Sequence, residues 1–120
     1  MRLWHKQDIT VEIRYGHDKQ QVKALVCPLC PGLAIHRAIE PPDKAWQVTH
    51  IQSGLSAGQP RTKVEAMRTL LALPRAGVDW TMTPNELIST HGRTFLRAVV
   101  DTAMRSGKQL PMRQQLLFAA

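Results

Sequence analysis

Ile9, Val11, Ile13 and Tyr15 alternate with Thr10, Glu12 and Arg14. A two-residue period puts the apolar set on one face of an extended chain, so a half-buried strand is predicted over about 8–15. Gly16-His17-Asp18-Lys19 reads as a turn, and Val22 to Cys27 as a second strand over 22–27. Pro28 to Gly32 breaks it. Leu33 to Ile39, rich in branched apolar residues, gives a third strand over 33–39. Glu40-Pro41-Pro42-Asp43-Lys44 is a loop, because paired prolines cannot continue a ladder. Ala45 to Ile51 gives a fourth strand over 45–51, and Ser53 to Pro60, with Gly54 and Gly58, a loop with room for a short fifth.

After Pro60 the period changes. Thr62-Lys63-Val64-Glu65 fits a capping box, in which the threonine caps the third amide and the glutamate reaches back. Val64, Met67, Leu70 and Leu71 then mark one face of a helix over about 63–73, which Pro74 ends. Thr83, Pro84 and Glu86 signal a second start, for a helix over 84–91. Gly92 either kinks or terminates it. A third segment over 93–106 has Leu96, Val99, Val100 and Ala103 as its inner face, with Gly107 and Pro111 closing the element.

Short connections between strands imply an antiparallel meander. The expected fold class is therefore α+β: a four-stranded antiparallel meander followed by two or three helices packed on one face. Residues 1–108 read as a single α+β domain and 109–120 as a C-terminal tail.

Composition adds a charge. The 120 residues carry a formal net charge of +7, with a pI near 10.1 and a mean hydropathy of −0.24. Residues 1–60 hold seven Lys/Arg against five Asp/Glu, whereas residues 61–120 hold nine against four. A basic second half is an electrostatic footprint for nucleic acid or an acidic partner. No apolar run approaches the roughly 18 residues of a membrane span, so no membrane partner is expected. The opening MRLWHKQD has no apolar leader core, and a cytoplasmic location is expected.

The two cysteines fall in Val26-Cys27-Pro28-Leu29-Cys30-Pro31-Gly32. A structural zinc needs four ligands, and a second paired-ligand knuckle is missing, with His36 and His50 as the nearest downstream histidines. A redox dithiol needs its first cysteine at a helix N-terminus, whereas an extended apolar run follows here. The third reading, a Pro/Gly turn holding two small buried residues, is the one the pattern favours. No metal and no cofactor is expected.

Other catalytic signals are missing. There is no nucleophile elbow, phosphate loop or H-E-x-x-H, and His36, His50 and His91 each stand alone, so no catalytic residue is assigned and an enzyme is not expected. Trp4, Trp46 and Trp80 read as core residues rather than stacking platforms. Arg93, Arg97, Asp101 and Arg105 recur every four residues, one continuous helical stripe. Asp101 pairing with Arg97 and Arg105 would make this a solvated face. Joined by Lys108 and Arg113, the arginines would lie on phosphates. Lys63 and Arg68 on the first helix make a second patch.

Three segments resemble known families. Glu86-Leu87-Ile88, Gly92 and Thr94 resemble the first helix and turn of a helix–turn–helix, although Arg93 and Asp101 stand where that motif places apolar residues. Trp46 to Leu71, a strand pair and a Thr-Lys-Val-Glu-Ala helix start, resembles in outline the last part of a double-stranded-RNA-binding domain. The same unit resembles the small three-stranded DNA-binding domains of phage integrases; no functional residue is carried over from either. Gln114-Gln115-Leu116-Leu117-Phe118 resembles the bacterial sliding-clamp-binding peptide. That resemblance implies that Leu117 and Phe118 seat in an apolar pocket of the clamp while Gln114 bonds at its rim. An exposed Leu-Leu-Phe end calls for a partner, either the domain itself or another protein.

The expected function is that of a small basic non-enzymatic binding protein of bacterial or phage type. It would act on nucleic acid or a nucleic-acid-handling nucleoprotein complex by electrostatic docking. The alternative is a protein–protein inhibitor, such as a phage or plasmid anti-defence protein of the anti-CRISPR kind, that blocks a nuclease complex.

Overall fold

A computed structural model describes residues 3–13, 18–39, 45–60 and 62–108. Five strands form one antiparallel sheet: β1 (His5–Ile13), β2 (Asp18–Val26), β3 (Leu33–Arg37), β4 (Trp46–His50) and β5 (Ser56–Gly58). They neighbour one another in chain order, a meander. Helices α1 (Lys63–Ala72), α2 (Pro84–His91) and α3 (Arg93–Lys108) follow, with a 3₁₀ turn at Leu73–Ala76 after α1. The architecture is α+β as the periodicities predict, with a short fifth strand in the glycine-flanked segment.

The first hairpin is longer than its hydrophobic alternation suggested. β1 and β2 pair from His5↔Val26 to Ile13↔Asp18. Asp18 and Lys19, read as turn residues, are the first residues of β2. Their neighbours Gln20 and Gln21 are polar and exposed, so a search for apolar alternation starts β2 too late.

The sheet has two buried faces. On one, Leu33, Ile35, Val48 and Ala57 pack against Ala66, Leu70, Leu73, Trp80, Leu87, Val99 and Ala103 from the helical half. On the other, Ile9, Val11, Ala24 and Ala34 form a second cluster with Val22, Val26, Ile39 and Ile51. None of the residues of that second cluster comes from a helix, among the described residues. The sheet closes it by bending back on itself: the Glu12 N–H donates to the Gly54 carbonyl at 2.9 Å, although β1 lies four strands from β5. Gly54, at φ +75°, is needed there, since a Cβ would sit 2.9 Å from the Thr10 carbonyl oxygen.

The starts of α1 and α2 are both capped, but not alike. Thr83 and Glu86 make the full reciprocal box, the Thr83 N–H donating to Glu86 Oε1 at 2.9 Å and the Glu86 N–H to Thr83 Oγ1 at 3.2 Å. At α1 the Glu65 N–H donates to Thr62 Oγ1 at 3.1 Å, but the Glu65 carboxylate meets the Thr62 hydroxyl at 3.3 Å rather than the Thr62 amide. The inner face of α1 is also rotated from the expected one. Ala66, Thr69 and Leu70 are buried, whereas Val64 is 45% exposed. Thr69 is tolerated inside because its hydroxyl donates to the Glu65 carbonyl at 2.8 Å.

α3 follows α2 through Gly92 alone. The Gly92 N–H closes α2 on the Ile88 carbonyl at 2.8 Å, and the Gly92 carbonyl accepts from Leu96 at 3.1 Å. Gly107, expected to end the third helix, instead lies within α3 and is buried. A Cβ there would come 2.7 Å from the Glu65 carbonyl oxygen. The glycine therefore lets the last turn of α3 touch the first half of α1. At the other end, Phe95, Ala98 and Val99 share a groove with Ala72, Arg75 and Ala76. The two helices thus pack antiparallel.

Candidate nucleic-acid interface

Residues four apart on a helix advance by only about 40°. Arg93, Arg97, Asp101 and Arg105 therefore climb one side of α3, and all four are exposed. The inner side is occupied by Val99, Ala103 and Gly107, with Leu96 and Val100 half-buried, so packing fixes which way the stripe points. Among the described residues no ion pair joins Asp101 to Arg97 or Arg105. Arg105 instead donates from Nη2 to Thr102 Oγ1 at 3.5 Å. Arg97 and Asp101 also stand at the rim of a groove of about 300 Å³ walled by Leu55, Leu87, Leu96 and Val100. The stripe runs about 18 Å along the helix and presents three guanidinium groups to solvent.

Lys108 ends α3, and its side chain lies outside the described residues. Arg113 and the tail residues Gln114, Leu117 and Phe118 lie outside them as well. Lys63 and Arg68 are both on α1, but about 140° apart around its axis; Lys63 is exposed and Arg68 half-buried.

Lys63 has a different neighbour. Its Nζ lies 5.8 Å from the centroid of the Trp46 ring, and Arg37 Cζ lies 5.9 Å from the same ring. Arg37 and Trp46 are directly opposed across β3 and β4, so their side chains share a face. Sequence reading missed Arg37. Its signal was the hairpin register: once Ile35 is opposed to Val48, Arg37 must oppose Trp46. Trp46 is half-buried against the helix-side core, as is Trp4, while Trp80 is buried within it.

The cysteine segment is a turn. The Cys30 N–H donates to the Cys27 carbonyl at 3.0 Å, and both thiols are free and buried. Burial, then the neighbouring Cys27, pushes the Cys30 thiol up to about 12, the opposite of what thiolate chemistry requires. The turn is pinned from outside: the Ile51 N–H donates to the Gly32 carbonyl at 2.9 Å. Gly32, at φ +96°, packs so tightly on the loop before α2 that a Cβ would fall 2.8 Å from the Thr81 amide nitrogen. Among the described residues no three His, Cys, Asp or Glu side chains gather as a metal site.

The two strand histidines are bound into the fold. His36 Nδ1–H donates to the Arg37 carbonyl at 2.7 Å, and Nε2 accepts from Thr49 Oγ1 at 2.7 Å. Thr49 Oγ1 in turn accepts from Gln47 at 2.9 Å. These bonds define the neutral tautomer. Burial lowers the His36 pKa, partly opposed by the bond to Arg37. His50 accepts from Ser53 Oγ at 2.7 Å through Nδ1 and donates through Nε2 to the Met82 carbonyl at 2.9 Å, tying β4 to the loop before α2. His91 stacks on Phe95 with ring centroids 5.4 Å apart.

The helix–turn–helix outline does not survive in this geometry. That motif needs a turn of three or four residues, and α2 and α3 share one. The strand pair followed by a helix is present as β4, β5 and α1. No helix among the described residues is long and apolar enough to cross a membrane. No family model matches the chain, and neither a curated protein nor a solved structure matches it.

Proposed function

We propose that this chain is a small, basic, non-enzymatic binding protein that docks on nucleic acid, or on a nucleic-acid-handling complex, through the outer face of α3. The observation that carries the reading is the state of Arg93, Arg97 and Arg105. They are exposed, aligned along one helix side, and not joined to Asp101 by an ion pair. Arginine also presents a planar fork of donors that matches phosphate oxygens.

Docking of this kind reads backbone charge rather than base sequence. Binding then weakens with salt, by a log–log slope of about 0.7 to 0.9 per phosphate neutralised. The test is fluorescence anisotropy with labelled single- and double-stranded DNA and RNA at roughly 50 and 200 mM salt, a range over which such contacts lose orders of magnitude in affinity. Binding with a steep slope, abolished by the combined Arg93→Glu, Arg97→Glu and Arg105→Glu reversal, is the expected result. Absence of binding at low salt would overturn the nucleic-acid reading and make the stripe a protein-docking surface, the case in which inhibition of a nuclease complex becomes the working description.

A further inference from the structure

We infer that Arg37, Trp46 and Lys63 form a second phosphate-contact point, in which one indole ring holds two cations ready for a nucleic-acid backbone. The inference rests on the nucleic-acid reading of α3 and extends it to the sheet.

Three observations converge. First, both cationic centres lie within 6 Å of one ring, at 5.9 Å for Arg37 and 5.8 Å for Lys63, inside the range of cation–π attraction. The two charges are therefore at most about 12 Å apart, a span that a few consecutive phosphates cover at about 3.4 Å of rise per charge along one strand. Second, the ring is fixed. Trp46 packs against the helix-side core, its backbone N–H donates to the Pro60 carbonyl at 2.9 Å, and its register opposite Arg37 is set by the ladder. A long basic side chain loses rotamer freedom when it binds; resting on a fixed ring removes part of that loss beforehand. Third, the site sits at the right end of the helix layer. Gly107 brings the last turn of α3 against the first half of α1. Lys63 opens α1, so the site lies toward the C-terminal end of α3 along the helix axis, on the side of that helix that meets α1, whereas Arg97 and Asp101 rim the groove on the side of the β4–β5 segment.

The attraction to Trp46 does not neutralise either cation, because the ring supplies a quadrupole and no net charge. Arg37 and Lys63 are both exposed, and among the described residues no ion pair engages them. The ring acts as a positioning group; the two cations are the contacts.

The experiment measures salt dependence of binding to a labelled single-stranded DNA and the matching duplex for four full-length proteins: wild type, Arg37→Ala/Lys63→Ala, Trp46→Leu and Trp46→Phe. The double variant removes only exposed groups, so its fold is not at risk. Its affinity is expected to fall about 3- to 10-fold, with the salt slope reduced by about 1.5, two contacts' worth. Trp46→Leu is expected to weaken binding with a smaller change in slope, since both charges remain, and Trp46→Phe to recover part of the loss. Wild-type binding with a slope unaltered in the double variant overturns this inference and leaves the α3 reading standing. No wild-type binding to either probe at 50 mM salt overturns both.

Discussion

His36 Nε2 accepts a hydrogen bond from Thr49 Oγ1 at 2.7 Å, on the face of the sheet opposite the helix-side core. His36 is 2% exposed and Thr49 fully buried. A neutral imidazole satisfies both of its nitrogens there; an imidazolium would turn its Nε2–H on the Thr49 hydroxyl and leave the hydroxyl proton without that acceptor.

Stability is therefore expected to depend on pH through His36. Its folded pKa is lowered from 6.5 by burial, so between that lowered value and 6.5 the unfolded chain binds the proton and the folded chain does not. The contribution is complete above 6.5 and is lost as pH falls through the folded pKa. Urea unfolding at pH 8, 6 and 5 should show the decline. Thr49→Val should cost about 1–3 kcal/mol at pH 8 by leaving buried polar partners unsatisfied. A flat profile from pH 8 to 5 would show that His36 titrates alike in both states.

Gly107→Ala should destabilise the protein by about 1–3 kcal/mol, although alanine is the better helix former by about 1 kcal/mol. The added methyl would meet the Glu65 carbonyl oxygen at 2.7 Å, and backbone cannot swing aside as a side chain can. A variant of equal or greater stability, measured by thermal unfolding, would mean that α1 and α3 do not approach so closely.

Asp101→Asn should strengthen nucleic-acid binding by a few-fold, because it removes the one anionic group from the arginine stripe without removing a cation. The gain should shrink at 200 mM salt, where exposed charges are screened within about 8–10 Å. Weaker binding would mean that Asp101 orders the arginines instead.

Neither thiol should react with an aromatic disulfide reagent in the native protein, and both should react once it is unfolded. Cys27 and Cys30 are 2% and 1% exposed, and the Cys30 thiol titrates only near 12. Rapid native labelling would place the turn at the surface.

Much of the fold was legible because its signals are local. Alternation at Ile9 and Val11, the proline break after Cys27 and the Thr83–Glu86 box each act within a few residues, and each appears within a residue of where the pattern puts it. The inner face of α1 was misjudged for a physical reason: Val64 is apolar, yet Ala66 and Thr69 are the residues buried with Leu70, and a threonine satisfied by its own helix leaves no trace in a hydrophobic period. The second buried face left little trace because His36 and Thr49, which are buried on it, add nothing to a hydrophobic pattern. The arginine stripe was readable from spacing alone. The Arg37, Trp46 and Lys63 group was not, since it needs a hairpin register and a helix docking that only the assembled chain provides.

The bond from Glu12 to Gly54 bears on how the chain reaches this state. It joins positions separated by roughly 40 residues, a closure whose chain-entropy cost is met only after the intervening strands are paired. The β1–β2 hairpin is local and can form early, but its inner apolar side stays open to water until that latch closes. The same latch occupies part of the outer edge of β1, the row of backbone groups on which a stray strand would otherwise grow. In this sheet one contact thus serves both the closing of the second cluster and the cover of part of one edge.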